Sequence, residues 1–399
     1  LVHGDVGSGK TVVAALAALR AIGNGCQVAI VAPTELLAEQ HPRVFSEWLI
    51  PMGIEPVWLS SKVTGKARTK ALEAIAGPAK IVIGTHALMQ EGVVFRNLGL
   101  VIVDEQHRFG VHQRMALVDK SRNSQEQAHQ LIMTATPIPR TLAMTAYAGL
   151  EVSVIDELPA GRQPVTTVAV SNERRSQVVQ RVASACESGQ QCYWVCTLIE
   201  ESDAIEAKAA EDVAADLERR LVGVKVGLVH GRMKAAEKQA VMSAFQGDEI
   251  QLLVATTVIE VGVDVPNASL MIIENAERLG LAQLHQLRGR VGRGARQSSC
   301  VLLYNPPLGE LARQRLDILR QTCDGSRIAE KDLELRGPGE VLGTRQTGMM
   351  QFRVADLARD AHLLNRIPPV AETLLEQHPE QVEKLIQRWI GDAARFVSV

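Results

Sequence analysis

The sequence predicts an α/β protein with two consecutive parallel-sheet domains and a helical segment after them. Apolar runs of strand length alternate with longer amphipathic stretches up to Tyr304. A cluster of turn-forming residues from Asp156 to Pro164 interrupts this alternation, and strand signals stop after Pro307. We therefore expect three parts, namely residues 1–157, 158–307 and 308–399.

The chain begins at Leu1, and only three residues precede Gly4, the first glycine of a phosphate-binding pattern considered below. Three residues are fewer than the usual length of the strand that leads into such a loop. We therefore expect the sequence to be truncated at its N-terminus.

Four near-continuous apolar runs in the first domain predict strands that are buried on both faces of a parallel sheet. These runs are residues 26–32, 80–84, 100–104 and 130–134. Helical periodicity covers residues 10–22, which Gly23 closes, and residues 35–49. Pro42 lies inside the second stretch, so we expect that helix to be kinked or to begin twice.

The same alternation restarts in the second domain and predicts a parallel unit of similar size. The expected strands are residues 165–170, 191–197, 224–229, 251–255, 270–274 and 299–304. The expected helices are residues 173–188, 202–221 and 234–246. After Pro307 the chain is helical and charged, with a glycine-rich insert at residues 336–348 and an amphipathic tail from about residue 354.

The bulk composition is that of a globular protein with little charge bias. Of the 399 residues, 46% are hydrophobic and 22% are charged, and the formal net charge is −2. A nucleic-acid partner would therefore have to bind a local basic surface on a nearly neutral body. Aromatic residues make up only 3% of the chain, so we expect contacts with the phosphate backbone rather than stacking of bases.

The cysteines and the apolar stretches indicate the cellular compartment of the protein. None of the six cysteines forms a CxxC pair, so buried and reduced thiols are expected rather than a metal site. No apolar stretch approaches the ~20 residues that cross a bilayer, and the sequence shows no signal peptide. We therefore expect a cytoplasmic protein with no membrane partner.

The segment from Gly4 to Thr11 fits the phosphate-binding pattern GxxxxGK[ST]. Its glycines let backbone N–H groups converge on a β-phosphate, and the following helix directs its positive end at the same group. We expect Lys10 to contact the β- and γ-phosphates and the Thr11 hydroxyl to bind Mg²⁺. An accidental glycine-rich turn is disfavoured because an apolar helix follows directly. The expected nucleotide contacts are Gly4, Asp5, Val6, Gly7, Ser8, Gly9, Lys10 and Thr11.

An apolar strand ends in two adjacent carboxylates, Asp104 and Glu105. We expect Asp104 to hold Mg²⁺ through its water shell, and Glu105 to position and polarise the attacking water. An acidic loop after a core strand is the plain alternative. Together with a phosphate-binding loop in the same domain, the pair indicates a nucleoside-triphosphate hydrolase.

Arg288, Arg290 and Arg293 lie within six residues of one another, among glycines of the second domain. If a helix ends near Gly289, then Arg290 and Arg293 can enter a cleft between the domains. There they would stabilise charge that develops on the γ-phosphate. A solvated basic face, or contact with DNA phosphates, would explain the same spacing.

The order and spacing of these motifs resemble those of superfamily 2 helicases. Residues 104–107, 134–136 and 286–293 are similar to motifs II, III and VI of that family. Motifs Ia, Ib, IV and V are matched by Pro33, Thr34, Glu35, Gly84, Thr85, His86, His230, Gly231, Arg232 and residues 255–264. The resemblance implies two RecA-like lobes of the P-loop NTPase type, with ATP in the cleft between them and DNA across the top.

The resemblance also implies individual roles. The implied catalytic residues are Lys10, Asp104, Glu105, Gln286, Arg290 and Arg293. The implied nucleotide contacts beyond the loop are His107, Gly262 and Asp264. Residues of motifs Ia, Ib, IV and V, with Thr256 and Thr257 among them, are implied to contact DNA or to couple it to the cleft. Thr134 and Thr136 are placed to couple movement of the cleft to bound DNA, but their hydroxyls can equally cap a helix that starts near Pro137.

Residues 332–348 resemble the translocation motif shared by the RecG helicases and the transcription-repair coupling translocases. In that motif a helical hairpin and a loop couple ATP turnover to movement on duplex DNA. The resemblance implies coupling roles for Arg336, Arg345 and Gln346. Residues 344–346 read Thr-Arg-Gln as in the RecG helicases, whereas the coupling factor typically has acidic residues at the first two positions. By composition alone, a turn-rich connector is the alternative.

The resulting hypothesis is a RecG-like helicase that uses ATP and Mg²⁺ to move on duplex arms of branched DNA, such as stalled forks and Holliday junctions. It implies DNA as the main partner and single-strand-binding protein as a further one. The adenine-reading segment and the wedge domain of that family are not found in this sequence, so branch specificity is not located here. A coupling translocase is disfavoured by Arg345, and a protein-translocating ATPase by the lack of room for a peptide-crosslinking insertion. A binding module without turnover is disfavoured by the presence of Lys10, Glu105, Arg290 and Arg293.

Overall fold

The structure is a computed structural model of the chain. It describes residues 1–105, 109, 128–135, 151–157, 163–197, 203–257, 265–294, 296–336, 360, 363 and 366–389. This part of the chain forms two parallel sheets, each packed against helices, and a helical segment that follows the second sheet. The predicted fold class is confirmed.

In the described residues of the first lobe, the structure has seven strands and three α-helices. The strands are β1 (Val2–Gly4), β2 (Gln27–Val31), β3 (Val57–Leu59), β4 (Ile81–Gly84), β5 (Leu98–Asp104), β6 (His129–Thr134) and β7 (Ser153–Ile155). They lie in the order β3-β4-β2-β5-β6-β1-β7, and the pairings between them are parallel. The helices are α1 (Lys10–Gly23), α2 (Glu35–Leu49) and α3 (Gly65–Ala76).

Strand β2 shows why the apolar runs are continuous. All five of its residues are buried, because helices cover both faces of the sheet. Val28 and Ile30 belong to the core that α1 and α2 cover, whereas Ala29 and Val31 belong to the core that contains Ile75 of α3. Since the strands are parallel, the loops that follow β1, β2, β4, β5 and β6 meet at one edge of the sheet.

Six strands and four α-helices make up the described part of the second lobe. The strands are β8 (Thr166–Ser171), β9 (Gln191–Val195), β10 (Val226–Val229), β11 (Leu252–Ala255), β12 (Ala268–Ile273) and β13 (Ser299–Tyr304), in the order β10-β11-β9-β12-β13-β8. The helices are α4 (Arg175–Glu187), α5 (Asp203–Arg220), α6 (Ala235–Gln246) and α7 (Leu281–Arg288). The neighbours Tyr193 and Trp194 lie in separate cores on opposite faces of this sheet.

Among the described residues after the second sheet are the helices α8 (Glu310–Gln321), α9 (Gly325–Arg336), α10 (Ile367–Gln377) and α11 (Pro379–Trp389). Leu316 and Leu319 of α8 and Ile328 of α9 share a core with Leu284 of α7, so α8 and α9 are anchored to the second lobe. Helices α10 and α11 pack against each other. No helix in the described ranges combines the length and the apolar composition needed to span a bilayer.

The cysteines occupy ordinary positions. Cys186, Cys192, Cys196 and Cys300 are buried, and Cys26 and Cys323 are half-buried. Within the described ranges, no group of three or more histidine, cysteine, aspartate or glutamate side chains is arranged to hold a metal ion.

Some elements differ from the expectations or were not foreseen. Residues Val2–Gly4 form a strand of only three residues, which pairs with β6 on one side and β7 on the other. The expectation that the second helix could begin twice was wrong, because α2 runs without a break through Pro42, and burial of Phe45 and Leu49 stabilises the turns beyond the proline. The short strands β3 and β7 and the helix α3 were not predicted. Other predicted ends differ from the observed ones by one or two residues.

Candidate functional site

A cleft of about 750 Å³ lies between the edge of the first sheet where the strands end and the second lobe. The predicted site residues that line it are Val6, Gly7, Gly9, Lys10, Thr11, Asp104, Glu105, Gln286, Arg290 and Arg293. The cleft therefore brings together residues that lie more than 280 positions apart in the sequence, from three separate motifs.

The loop after β1 turns sharply into α1. Gly9 has a φ of 97°, in the left-handed region that favours glycine, and Lys10 is the first residue of the helix. The Lys10 ammonium donates hydrogen bonds to the carbonyl oxygens of Gly4 at 2.6 Å and Asp5 at 2.8 Å. Burial lowers the pKa of Lys10, while the nearby charges of Glu105 and Asp104 oppose this. In this structure the Lys10 ammonium therefore binds the backbone of its own loop.

Asp104 ends β5, and Glu105 follows it in a left-handed conformation with a φ of 49°. Burial raises the pKa of the Glu105 carboxyl, the charge of Asp104 adds to this effect, and Lys10 opposes it. The backbone N–H of Ala135 donates to Glu105 Oε2 at 3.4 Å. This environment favours a carboxyl group that can take up a proton.

Asp104 has a partner that the sequence did not reveal. Its Oδ2 lies 3.0 Å from Nε2 of His41, a buried residue on α2. His41 lines the cleft together with Gln40 and Arg43. Neither spacing nor residue type marked His41, because its pairing with Asp104 spans 63 positions and depends on the packing of α2 against the sheet.

The second lobe reaches the cleft through the end of α7 and the turn after it. Gln286 and Arg290 are buried, and both line the cleft with Arg293. The charge of Arg290 opposes the rise in the pKa of Glu105. The charge of Arg293 adds to the lowering of the pKa of Lys10 that burial causes. Both arginines therefore lie close to groups of the first lobe.

A second contact joins the lobes beside the cleft. Oδ1 of Asp5, in the loop after β1, lies 2.9 Å from Nε2 of His285 on α7. The Arg288 guanidinium is 2.9 Å from the other ring nitrogen of His285. The sequence marked Asp5 only as a loop position and gave no signal for its partner, which is 280 residues away.

The residues matched to motifs Ia and Ib follow β2 and β4. Pro33 and Thr34 are half-buried, and Glu35 starts α2 and accepts hydrogen bonds from Lys62 at 2.8 Å and Ser61 at 2.6 Å.

Gly84 ends β4, Thr85 is buried and caps the following turn, and His86 is exposed. These loops share the edge of the sheet that carries the cleft.

The residues matched to motifs IV and V follow β10 and β11. His230 lies 3.8 Å from Glu211, Gly231 accepts a hydrogen bond from Lys238, and Arg232 is exposed. Thr256 is buried and Thr257 is half-buried. In the first lobe, Thr134 is buried at the end of β6.

Several predicted positions lie outside the described residues. These are His107, Thr136, Gly262, Asp264, Arg345 and Gln346. Arg336 is the last residue of α9.

Comparison with known families matches the chain in three segments. Residues 1–145 match the DEAD/DEAH box helicase family, and residues 174–295 match the helicase conserved C-terminal domain. Residues 322–388 match the C-terminal part of domain 3 of the ATP-dependent DNA helicase RecG.

Similar proteins extend the comparison over the whole chain. The chain is 62% identical over 401 residues to the ATP-dependent DNA helicase RecG of Pasteurella multocida, covering 100% of this chain and 58% of that protein. It is 63% identical over 398 residues to the protein of the same description from Escherichia coli K12, covering 99% of this chain and 57% of that protein. The chain therefore spans somewhat more than half the length of these relatives.

Two solved structures are also similar to this chain. A structure of RecG bound to a three-way DNA junction matches with a TM-score of 0.72 and 43% identity, covering 91% of this chain and 47% of that one. A structure of S. cerevisiae Dbp5 bound to RNA and ADP BeF3 matches with a TM-score of 0.59 and 15% identity, covering 92% and 88%, which shows a shared fold. The family matches, the two relatives and the structure of RecG with a three-way DNA junction together show that the chain is similar to RecG helicases along its whole length.

Proposed function

We propose that this chain is an ATP-driven motor that moves on the duplex arms of branched DNA. The observation that carries the proposal is the composition of the cleft, in which Lys10 and Glu105 of one lobe share a cavity with Arg290 and Arg293 of the other. A nucleotide that contacts both lobes favours the closed cleft, and its hydrolysis releases that preference. Cycles of closing and opening supply the movement.

The loop after β1 is the proposed phosphate site. Lys10 now donates to two carbonyl oxygens of its own loop, and it can exchange these contacts for oxygens of the β- and γ-phosphates. The Thr11 hydroxyl and the Asp104 carboxylate line the same cleft, and such hard oxygen donors fit Mg²⁺. A bound Mg²⁺ would neutralise charge on the phosphates.

Glu105 is proposed to orient the attacking water and to accept its proton. Burial raises the pKa of its carboxyl, which brings a weak base closer to the working pH. Arg290 and Arg293 are proposed to stabilise charge on the γ-phosphate, with Gln286 beside them. His107, Gly262 and Asp264 are proposed as further nucleotide contacts on the strength of the family resemblance.

DNA is proposed to lie across the edges where the strands of both sheets end, because the loops after β2, β4, β10 and β11 are found there. The preference for branched DNA is supported by the similar structure of RecG with a three-way DNA junction. A further contact with single-strand-binding protein rests on the family resemblance alone. The proposed units are residues 1–157, 158–307 and 308–399.

ATP turnover with different DNA ligands tests this function. Phosphate release by the full-length protein should rise at least ~10-fold when a three-way junction is added, because cleft closure and DNA binding favour the same state. A linear duplex of the same length is the control and should stimulate less. Turnover that no DNA ligand changes, or no turnover at all, would overturn the proposal.

A further inference from the structure

A continuous chain of hydrogen bonds crosses from the phosphate loop to the helices that follow the second lobe. Oδ1 of Asp5 is 2.9 Å from Nε2 of His285, and the Nη2 atom of Arg288 is 2.9 Å from Nδ1 of the same ring. The Nη1 atom of Arg288 donates to the carbonyl oxygens of Leu319 at 2.9 Å and Thr322 at 2.8 Å. This series of hydrogen bonds thus ends at the last turn of α8.

The direction of these bonds fixes the state of the histidine. A guanidinium can only donate, so Nδ1 of His285 must accept from Arg288 and carries no proton. The proton of the neutral ring therefore sits on Nε2 and is donated to Asp5. Burial alone would raise the pKa of Asp5, but the hydrogen bond from His285 and the neighbouring charges, including Arg288, lower it. Asp5 is thus a stable ionised acceptor.

Both middle members are deeply buried, with His285 exposed by 5% and Arg288 by 3%. A hydrogen bond that involves a charged group is stronger in such surroundings, and its loss leaves a buried partner unsatisfied. Breaking this series of hydrogen bonds therefore costs free energy.

Helix α9 begins directly against the Asp5–His285 pair. Its amino end is capped by Asp324, whose Oδ1 accepts from the N–H groups of Ser326 at 2.8 Å and Arg327 at 3.4 Å. A Cβ atom at Gly325 would lie 2.6 Å from Asp5 Oδ1 and 3.1 Å from His285 Nε2. The start of α9 can approach the pair only because position 325 has no side chain.

The phosphate loop joins this series of hydrogen bonds through Asp5, which takes part with its backbone oxygen and with its carboxylate. The backbone oxygen of Asp5 accepts from Lys10, while its carboxylate accepts from His285. A change in the contacts of Lys10 thus acts on the same residue that holds the second lobe. His3, on the adjoining strand, is buried, and none of the described residues hydrogen-bonds its Nε2.

We propose that His285 and Gly325 are positioning residues that couple the phosphate loop to α9. Through Asp5, His285 and Arg288, a shift of the loop on nucleotide binding moves the start of α9, whose other end leads into residues 337–348. The inference deepens the proposed function and rests on it. Neither His285 nor Gly325 lines the cleft, so their effect is on coupling rather than on contact with the nucleotide.

Two variants in the full-length protein test the link. His285→Ala removes it, and Gly325→Ala separates Asp5 from His285 with one methyl group while every hydrogen-bonding group stays in place. We expect both to keep nucleotide affinity within a few-fold and to reduce the stimulation of ATP turnover by a three-way junction about tenfold, which is within the usual range for coupling between sites. His285→Gln, which can still donate to Asp5 and accept from Arg288, should recover much of the stimulation.

Gly309→Ala is the matched control, because Gly309 precedes α8 and a Cβ atom there would meet nothing within 4 Å. A second readout is amide hydrogen exchange in α9, which nucleotide should change in the wild type and the control but not in Gly325→Ala. No stimulation of the wild type by DNA would refute the proposed function itself. Wild-type stimulation that both variants retain would refute the link alone. Equal loss of basal and stimulated turnover with a lower melting temperature would assign His285 and Gly325 a structural role and also refute the link.

Discussion

Glu105 is the residue on which the proposed chemistry depends most. It is a half-buried carboxylate beside Asp104 and Lys10, and its removal from solvent raises its pKa. Its backbone is held in a left-handed conformation by its position at the end of β5 and by the hydrogen bond from its N–H to the Met133 carbonyl at 2.9 Å. The strand end therefore sets the backbone position from which the carboxylate enters the cleft.

Replacing Glu105 with Gln should separate binding from turnover. The amide keeps the shape of the side chain but cannot accept a proton, so ATP turnover should fall at least ~10²-fold while ATP binding persists. Phosphate release and binding of a fluorescent ATP analogue measure the two effects. Lys10→Ala is the companion variant and should lose turnover together with affinity. Turnover in Glu105→Gln at the wild-type rate would remove the proposed role of this carboxylate.

At the scale of residues, the sequence predicted contacts within motifs better than contacts between them. The phosphate loop is a local pattern, so its glycines and Lys10 were readable from spacing alone. The partners His41 of Asp104 and His285 of Asp5 were not, because each pair forms only when distant helices pack against the sheet. The nearness of Arg290 and Arg293 to the loop was expected, yet the contact between Asp5 and His285 beside them was not.

At the scale of elements, Gly84 illustrates how a motif residue can be required for packing. It ends β4, and a Cβ atom there would overlap the backbone oxygen of Leu59 on β3. The absence of a side chain allows β3 and β4 to pair at this point.

Gly84→Ala should therefore destabilise the first lobe. Overpacking against backbone costs about 1–3 kcal/mol, so the free energy of unfolding in denaturant titrations should fall by that amount. Gly92→Ala is the control, since a Cβ atom there would meet nothing within 4 Å. Unchanged stability with weakened DNA binding would instead make Gly84 a contact residue, as the helicase motif implies.

The turn after α7 supplies the arginines, and Arg290→Ala tests how they act. If the guanidinium stabilises the transition state, turnover should fall about 10³-fold while ATP affinity stays within a few-fold. Steady-state kinetics and nucleotide titration measure both quantities, and Arg296→Ala, an exposed arginine whose Nη1 donates to the Gly189 carbonyl, is a control outside the cleft. A collapse of DNA affinity with unchanged DNA-free turnover would assign Arg290 to DNA phosphates.

Long buried strands and helices with clear periodicity were predictable, and short or weakly patterned elements were not. Strand β7 has only three residues, and two of them are exposed. In helix α3 a single residue, Ile75, is buried, so no apolar stripe marks it in the sequence. Such elements are stabilised by their neighbours rather than by their own pattern.

At the scale of the whole molecule, the two lobes share one cleft, and helices α8 and α9 are packed on the second lobe. The sequence predicted two sheets and a helical tail because these follow from local patterning. The arrangement of the lobes depends on side-chain contacts between them, among them Asp5 with His285 and Glu39 with Gln239. No local pattern encodes those contacts.

The segment that follows α9 is predicted to link turnover to movement. Changing both Arg345 and Gln346 to Ala should leave DNA-stimulated ATP turnover largely intact and reduce branch migration steeply, because neither residue belongs to a phosphate-binding motif. A gel assay of junction unwinding beside phosphate release would reveal the split. A connector with only a structural role predicts equal losses in both assays and a lower melting temperature.

The most direct test of the central claim is displacement of a third strand from a DNA triplex by the full-length protein. A motor that moves on duplex DNA should release the strand only with hydrolysable ATP, and Glu105→Gln should release it at least ~10²-fold more slowly, in step with its turnover. Release of the third strand by Glu105→Gln at the wild-type rate, or an intact triplex in the presence of rapid DNA-stimulated ATP turnover by the wild type, would contradict the account.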